Sequence, residues 1–500
     1  MKPSTSKRVI SLMLLTLIAL LPILSSCAQD GTNDPKSPDA TTGAIEGDTL
    51  PASDDEIPYE YAAADFGGGD FRIYNYTTTW GFYSDVAIED QTGEALDDAI
   101  YARNVFIEEK YNVKIKEINE DVAKIESSVR KLVLAGEDLY DIILCPGSEA
   151  SNIGVLVGEK LFYNLNEFSE LKLDQPWWDQ GVLKEGSIGA DRATYFAISD
   201  INITNLQGAW CLYFNEDIMK DYGMEKPYDL VRSGNWTIDE LRKYIKAGTN
   251  LNGDANFTYD PNGKSIYGLT SYESGVAGML ISAGGRYISK DANGIPQFVA
   301  TDPRFVDICQ SLASLLGTEG EYVNINDEAT NKHYELAFLN GRALFCGAEI
   351  KASTRFRSME QTFGIVPMPK FDSAQSDYYA MQFRQAPVTV IPVTNLEPNR
   401  TAAILDAMAY KSYVDVTPVY YDVTMSQKGL RNEESIEMLK IIRNSRYFDS
   451  GIVYGWTKTL YDAILAGLVK GNAEVVSNIE KNKAKIEVAI DKTLTAIDAV

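Results

Sequence analysis

The chain has 500 residues, 45% of them hydrophobic. A chain of this length is too long to fold around a single hydrophobic core, so we expect two domains of roughly 150–250 residues. Residues 1–26 hold three basic and no acidic side chains, which leaves 43 basic against 71 acidic residues in the remainder. Such a surface repels nucleic acid and anionic lipid and favours a neutral or cationic ligand. The single histidine, His333, excludes histidine-based triads elsewhere in the chain and multi-histidine zinc sites.

The first 26 residues have the pattern of an export signal. A basic start precedes an apolar run, Val9 to Ile23, that is too short for a membrane span. The run ends in Leu24-Ser25-Ser26-Cys27, which resembles the lipobox of bacterial lipoproteins. The resemblance implies a signal peptide over residues 1–26, lipid such as palmitate on Cys27, and a location at the extracellular face of the cell membrane, anchored but not spanning. An ordinary secretory peptide that contains Cys27 is the alternative.

Residues 27–65 are rich in Asp, Pro, Ser, Thr and Gly and poor in large apolar side chains. Such a segment cannot repay the entropy lost on ordering, so we predict a disordered tether. As a flexible coil of about 38 residues it would average roughly 35 Å between its ends.

From Phe71 the pattern alternates between strands and helices up to the apolar run Tyr140 to Cys145. This order predicts a doubly wound α/β domain whose binding face is formed by the loops that follow the strands. Those loops contain Trp80, Ser148 and Glu149. They carry no glycine-rich nucleotide motif, so we expect no cofactor and no metal.

Two later stretches carry a resemblance. Residues 210–244 read WCLYFNEDIMKDYGMEKPYDLVRSGNWTIDELRKY, and residues 337–370 contain AFLNGRALFCG and FGIVPMPK. Together they are similar to the family 1 extracellular solute-binding lipoproteins of bacterial carbohydrate ABC transporters. Thr237 and Glu240 also form a capping box, a structural reason for part of the match.

The resemblance implies a two-lobed, periplasmic-binding-protein-like α/β fold of type II. Its three interlobe crossings would lie near Asp200, Gly347 and Tyr413. We therefore predict an N-terminal lobe of residues 66–199 plus 349–412 and a C-terminal lobe of residues 200–348 plus 413–500. The four remaining cysteines lie in apolar runs, which favours buried free thiols over disulfides, although export permits both; they are Cys145, Cys211, Cys309 and Cys346.

The ligand site implied by this fold lies between the lobes. Sugar rings stack on aromatic side chains, and their hydroxyl groups need fixed polar partners. The resemblance places Trp456 at the cleft and Tyr272 in the turn that opens a cleft-facing helix. The remaining candidates are a stacking residue and four polar partners, each of which could instead be a packing, cap or surface residue: Trp80, Ser148, Glu149, Asp200 and Glu349.

We therefore expect a monomeric, membrane-anchored receptor that is not an enzyme. It would capture a small carbohydrate and deliver it to the permease subunits of an ABC importer, with no nucleic-acid partner. The alternative is a surface-anchored carbohydrate-active enzyme or glycan-binding adhesin, because 71 acidic residues guarantee some close carboxylate pairs.

Overall fold

A computed structural model describes residues 57–77, 81–83, 85–147, 152–324, 332–425, 430, 433–472 and 474–497. The signal peptide, Cys27, Trp80, Ser148 and Glu149 lie outside these residues, so the roles predicted for them remain predictions. Within the described residues no helix combines the length and the apolar character needed to cross a bilayer.

The described residues form α-helices and short strands in mixed order. The strands are β1 (Gly69–Thr77), β2 (Val113–Asp121), β3 (Ile142–Pro146), β4 (Trp210–Asn215), β5 (Tyr267–Ser271), β6 (Ile288–Lys290), β7 (Pro296–Phe298), β8 (Tyr322–Asn324), β9 (Ala343–Glu349), β10 (Phe363–Val366), β11 (Ala380–Met381), β12 (Pro387–Val390) and β13 (Arg446–Tyr447). The helices are α1 (Ala95–Tyr111), α2 (Ile125–Leu134), α3 (Ile153–Gly158), α4 (Gln180–Gly186), α5 (Thr204–Gln207), α6 (Glu216–Asp221), α7 (Tyr228–Arg232), α8 (Ile238–Gly248), α9 (Glu273–Ser282), α10 (Pro303–Leu316), α11 (His333–Leu339), α12 (Ser353–Phe356), α13 (Pro398–Lys411), α14 (Thr417–Met425), α15 (Glu433–Asn444), α16 (Ser450–Val453), α17 (Lys458–Leu468) and α18 (Val475–Ala496).

The first sheet has the strand order β12-β3-β1-β2. β1 runs parallel to β2 and β3, and β12 is antiparallel to β3. Side chains of β1 alternate between two buried clusters: Phe71 and Ile73 belong to one, Tyr74 and Tyr76 to the other. Both faces of the sheet are therefore covered, as the predicted doubly wound arrangement requires.

The second sheet has the strand order β10-β4-β9-β5-β8. β9, the predicted ALFCG strand, is buried along its whole length and follows a turn in which Gly341 has φ +68°. The predicted lobe boundary at residue 349 needs correction, because β10 pairs with β4 in this same sheet. β10 pairs with the edge of β4, whose backbone hydrogen-bonding groups would otherwise be unpaired. The chain therefore returns to the first sheet only at β12.

Three short segments, around Gly208, Gln382 and Tyr447, lie side by side between the sheets. Phe383 N donates to Gly208 O at 2.8 Å, and Gln382 N donates to Tyr447 O at 3.2 Å. The chain therefore passes between the sheets at adjacent points.

The sequence places Val475, Ile479, Ile486, Ile490 and Leu494 on one stripe, which predicts an amphipathic helix near the C-terminus. The structure has this helix as α18, with the stripe buried. The four described cysteines are buried free thiols. The predicted tether is too long at its C-terminal end, because residues 57–65 contact the first-sheet side through Tyr59 and Tyr61. Aromatic side chains in an otherwise polar segment were the sequence signal for this contact.

Candidate functional site

The candidate site lies where strands of both sheets end. In the first sheet the carboxyl ends of β1 and β3 lie at the same edge as the start of β12, since Pro146 is paired with Pro387. In the second sheet the carboxyl ends of β5 and β9 lie beside the start of β4. Ligands of open α/β sheets bind at such edges, because the loops there converge. We call this region the site edge.

Glu349 ends β9 at the site edge, opposite Trp210 of β4. Its side chain is 9% exposed, and no described residue donates a hydrogen bond to its carboxylate. The carboxylate oxygens are not among the fully buried polar atoms that lack a partner, so they reach solvent and can accept hydrogen bonds from a ligand. The role of Glu349 as a polar partner of a ligand stays a prediction.

Tyr272 precedes α9 and does not cap the helix with its side chain. Gly275 N and Val276 N donate to Tyr272 O, so of the first amide groups of α9 those of Glu273 and Ser274 remain available as hydrogen-bond donors. Burial raises the pKa of the half-buried Tyr272 phenol, with further contributions from Glu273 and Glu349, while Arg384 acts in the opposite sense. Donors and an acceptor thus lie close together around Tyr272.

An aromatic pair, Phe82 and Phe383, lies across the site edge with ring centroids 4.3 Å apart. Phe82 belongs to the loop after β1, and Phe383 belongs to a segment that joins the sheets. The ammonium of Lys351, two residues after β9, lies 3.3 Å from the centroid of the Phe82 ring. Burial lowers the pKa of Lys351 to about 8, although Glu349 acts in the opposite sense. First-sheet and second-sheet elements therefore meet at Phe82.

An ion pair between Glu335 and Arg355 lies next to this region. Arg355 Nε donates to Glu335 Oε2 at 2.6 Å, and Arg355 Nη2 donates to the other carboxylate oxygen. The Tyr334 hydroxyl also donates to Glu335, at 3.1 Å. Glu335 and Arg355 both act electrostatically on Lys351, so the pair helps to set the charge balance at the site edge.

Asp200 was predicted to be a ligand partner, and the structure engages its carboxylate within the protein. The side chain is buried, accepts a hydrogen bond from Thr417 Oγ1 at 3.0 Å, and lies 3.4 Å from Arg443 Nη2 and 3.8 Å from Arg446 Nη1. Asp200 therefore joins the segments that pass between the sheets.

Trp456 was predicted to stack on a sugar. Its ring is 7% exposed and stacks on Tyr454 at 4.6 Å, and its indole N–H donates to Thr493 Oγ1 of α18 at 2.9 Å. Little of the ring is left for a ligand in this arrangement. The structure thus places Trp456 in the packing of α18.

A small cavity lies beside the end of β3. A cavity of about 10 Å³, room for one water molecule, lies between Gly147, Arg384 and Phe448. Larger cavities, of about 510 and 690 Å³, lie near Tyr163 and near the start of β2, away from these strand ends. Among the described residues no cluster of histidine, cysteine or acidic side chains is arranged to hold a metal ion.

Comparison with known proteins shows what the fold is. An ABC substrate-binding protein from Listeria monocytogenes, solved in complex with cycloalternan, superposes with a TM-score of 0.52 at 10% identity, covering 86% of this chain and 99% of its own. A cyclic alpha-maltosyl-1,6-maltose binding protein from Arthrobacter globiformis gives 0.53 at 13% identity, covering 87% and 99%. The fold is that of ABC transporter substrate-binding proteins.

A third protein with this substrate-binding fold has a different ligand. UgpB from Mycobacterium tuberculosis, in complex with glycerophosphocholine, gives a TM-score of 0.52 at 13% identity, covering 86% of this chain and all of its own (100%). No family model matches the sequence, and no curated protein matches it. The Listeria and Arthrobacter proteins are both named as binding proteins.

Sequence reasoning missed three residues of the site edge: Phe82, Phe383 and Lys351. Phe82 lies two residues after Trp80 in the same predicted loop, and that proximity was the available signal. Lys351 directly follows the strand that ends in Glu349, and its position two residues later was the available signal. Phe383 had none, because it reaches the site only through the pairing of the connecting segments.

Proposed function

We propose that the protein is a membrane-anchored extracellular solute-binding protein that captures a carbohydrate at the site edge and delivers it to an ABC import permease. It acts as a monomer and performs no catalysis. The substrate-binding fold and the ligands named for the Listeria and Arthrobacter proteins support the carbohydrate class. The pattern around Cys27 supports the lipid anchor.

The observation that carries the proposal is the position of Glu349, which ends β9 at the site edge with a carboxylate that reaches solvent and accepts no hydrogen bond from a described residue. A sugar hydroxyl donates to such a carboxylate and accepts a hydrogen bond from an amide at the start of α9. Phe82 and Phe383 supply an apolar surface for the C–H face of a ring. An anionic ligand would instead face Glu349 and Glu273 at short range, which is unfavourable.

Isothermal titration calorimetry of the chain without residues 1–26 tests the proposal. Cycloalternan, a series of monosaccharides and maltooligosaccharides, and glycerophosphocholine serve as probes. We expect a saccharide to bind and Glu349→Gln to weaken its binding about tenfold or more, because a hydrogen bond to a charged group contributes roughly 1.5–3 kcal/mol. Glu397→Gln is the matched control, since the Glu397 side chain is 69% exposed.

Three results would contradict the proposal in different ways. Binding of glycerophosphocholine and of no saccharide would keep the transport role and discard the carbohydrate class. Hydrolysis of a glycan would favour the surface-anchored enzyme. Binding of a saccharide with equal affinity by Glu349→Gln would remove Glu349 from the site.

A further inference from the structure

Residues 57–66, which we call the strap, lie along the helices of the first-sheet side. The Tyr59 ring stacks on Tyr410 of α13 with centroids 4.4 Å apart, and Tyr61 packs on Phe106 of α1 at 5.1 Å. The Lys172 ammonium lies 4.0 Å from the centroid of the Tyr59 ring. The strap therefore buries aromatic surface at the C-terminal end of the segment that was predicted to be a tether.

Backbone groups hold the strap at both ends. At its end, Phe66 N donates to Tyr111 O at 2.8 Å, and the Asp65 carboxylate accepts a hydrogen bond from Asn112 Nδ2 at 2.8 Å. At its start, the Tyr410 hydroxyl donates to Ile57 O at 3.3 Å. Fixing both ends limits local peeling, since the strap can leave only if several contacts break together.

A buried carboxylate lies under the strap. Asp406 of α13 is fully buried and accepts hydrogen bonds from the Tyr59 hydroxyl at 3.0 Å, Trp178 Nε1 at 2.8 Å and Trp177 Nε1 at 3.0 Å. The backbone N–H of Lys172 donates to the same group at 3.0 Å. Four donors compensate a charge that would otherwise be costly to bury, so removal of the Tyr59 hydroxyl leaves this carboxylate under-satisfied.

The described partners of the strap all belong to one side of the molecule. They lie on α1, on α13 and in the segment before α4, next to the first sheet, and none lies on an element of the second sheet. A force applied through the N-terminus therefore acts on the body at the first-sheet side.

We propose that the strap is an anchorage device: it fixes the point where the N-terminal tether leaves the body and makes the first-sheet side the stationary part at the membrane. The second-sheet side is then free to move when the site edge opens. This inference rests on the proposed lipid attachment at Cys27 and concerns a different part of the molecule from the ligand site.

The test uses the full lipidated chain in phosphatidylcholine vesicles that contain an acceptor dye on the lipid. A donor dye is attached to Leu396→Cys, because Leu396 is 79% exposed on the first-sheet side and the described native cysteines are buried. Time-resolved energy transfer gives the distribution of distances from the body to the membrane. We compare the otherwise unchanged chain with Tyr59→Ser/Tyr61→Ser and with the control Tyr222→Ser.

We expect a narrow distribution for the unchanged chain and the control, and one at least about twofold broader for the strap variant, because release of the strap lengthens the flexible coil. In the unchanged chain, the amide hydrogens of Phe66 and Gly68 should exchange slowly with solvent. In the strap variant they should exchange fast. Thermal melting verifies that the variant folds.

An equally narrow distribution in the strap variant would overturn the proposal, as would fast exchange at both amides in the unchanged chain. If the chain stayed in the supernatant and did not bind the vesicles, it would lack the lipid attachment, and the anchoring role would be overturned. Saccharide titration of the same samples reports separately on the proposed ligand site, so failure of one proposal is distinguished from failure of the other.

Discussion

The Lys351 ammonium lies 3.3 Å from the centroid of the Phe82 ring, and the two residues come from opposite sides of the site edge. Lys351 follows β9 of the second sheet, whereas Phe82 follows β1 of the first. A cation on an aromatic face is attracted by the ring, and the attraction grows when water is excluded. The contact therefore joins the loop after β1 to the segment after β9 across the site edge.

The pH dependence of stability should reveal the buried Lys351. Burial lowers its pKa to about 8, below the value of roughly 10.4 in the unfolded chain. Between these two values the unfolded state binds more protons, so this residue makes stability rise with pH from about 8 towards 10. We expect the free energy of urea unfolding of the unchanged chain to rise relative to Lys351→Met over this range. A constant difference between the two chains would contradict the burial of a titrating amine.

Asp449 should produce the opposite slope at acidic pH. Burial raises the pKa of this carboxyl group to about 6, although the amides of Tyr287, Gly451 and Ile452 oppose the shift. Between about 4 and 6 the folded state binds the extra proton, so the Asp449 contribution falls as pH rises through this window. We expect Asp449→Asn, compared with the unchanged chain in thermal melts from pH 4 to 6, to lack this fall. An identical slope in both chains would exclude Asp449 as its source.

Replacement of Asp200 tests whether its role is internal. Asp200→Asn removes the negative charge that accepts a hydrogen bond from Thr417 and attracts Arg443 and Arg446. We expect a loss of roughly 1.5–3 kcal/mol in unfolding free energy. Asp415→Asn is the control, because its ion pair with Lys411 is exposed on the Asp415 side and such pairs contribute about 1 kcal/mol or less. A tenfold loss of saccharide affinity in Asp200→Asn with unchanged stability would favour the predicted ligand contact instead.

Trp456→Phe separates packing from sugar stacking. The variant keeps an aromatic ring but removes the hydrogen bond to Thr493, so we expect a stability loss of about 1 kcal/mol and unchanged saccharide affinity. Thr493→Val should cause a similar loss of stability, because it removes the other partner of the same bond. If calorimetry showed a tenfold loss of affinity in Trp456→Phe alone, the stacking role predicted from the sequence would be supported.

Lipidation at Cys27 is tested by Cys27→Ala in a bacterial host that processes lipoproteins. Loss of the thiol removes the attachment point, so the protein should appear in the medium or remain as an unprocessed precursor. Fractionation followed by mass spectrometry of the N-terminus measures both outcomes. Membrane attachment at the level of the unchanged chain would show that another segment holds the protein at the membrane.

Part of the fold was predictable because it depends on local patterns. β1, β3 and β9 were recognisable as buried strands, and the stripe of Val475, Ile479 and Ile486 predicted α18. Periodicity reports which side of an element is buried, and it does so without knowledge of partners. Glu349 was proposed as a candidate because it directly follows the apolar ALFCG run, and the structure has it as the last residue of β9.

The partners of these elements were not predictable in the same way. The sequence by itself determined the α/β class, the strand ends where a ligand would bind, and the N-terminal targeting pattern. Only the tertiary structure decided that β10 pairs with β4, that Asp200 and Trp456 are satisfied inside the protein, and that the strap packs over Asp406. The reason is physical: burial and hydrogen bonding of a side chain depend on residues far away in the chain, and several distant arrangements satisfy the same local pattern.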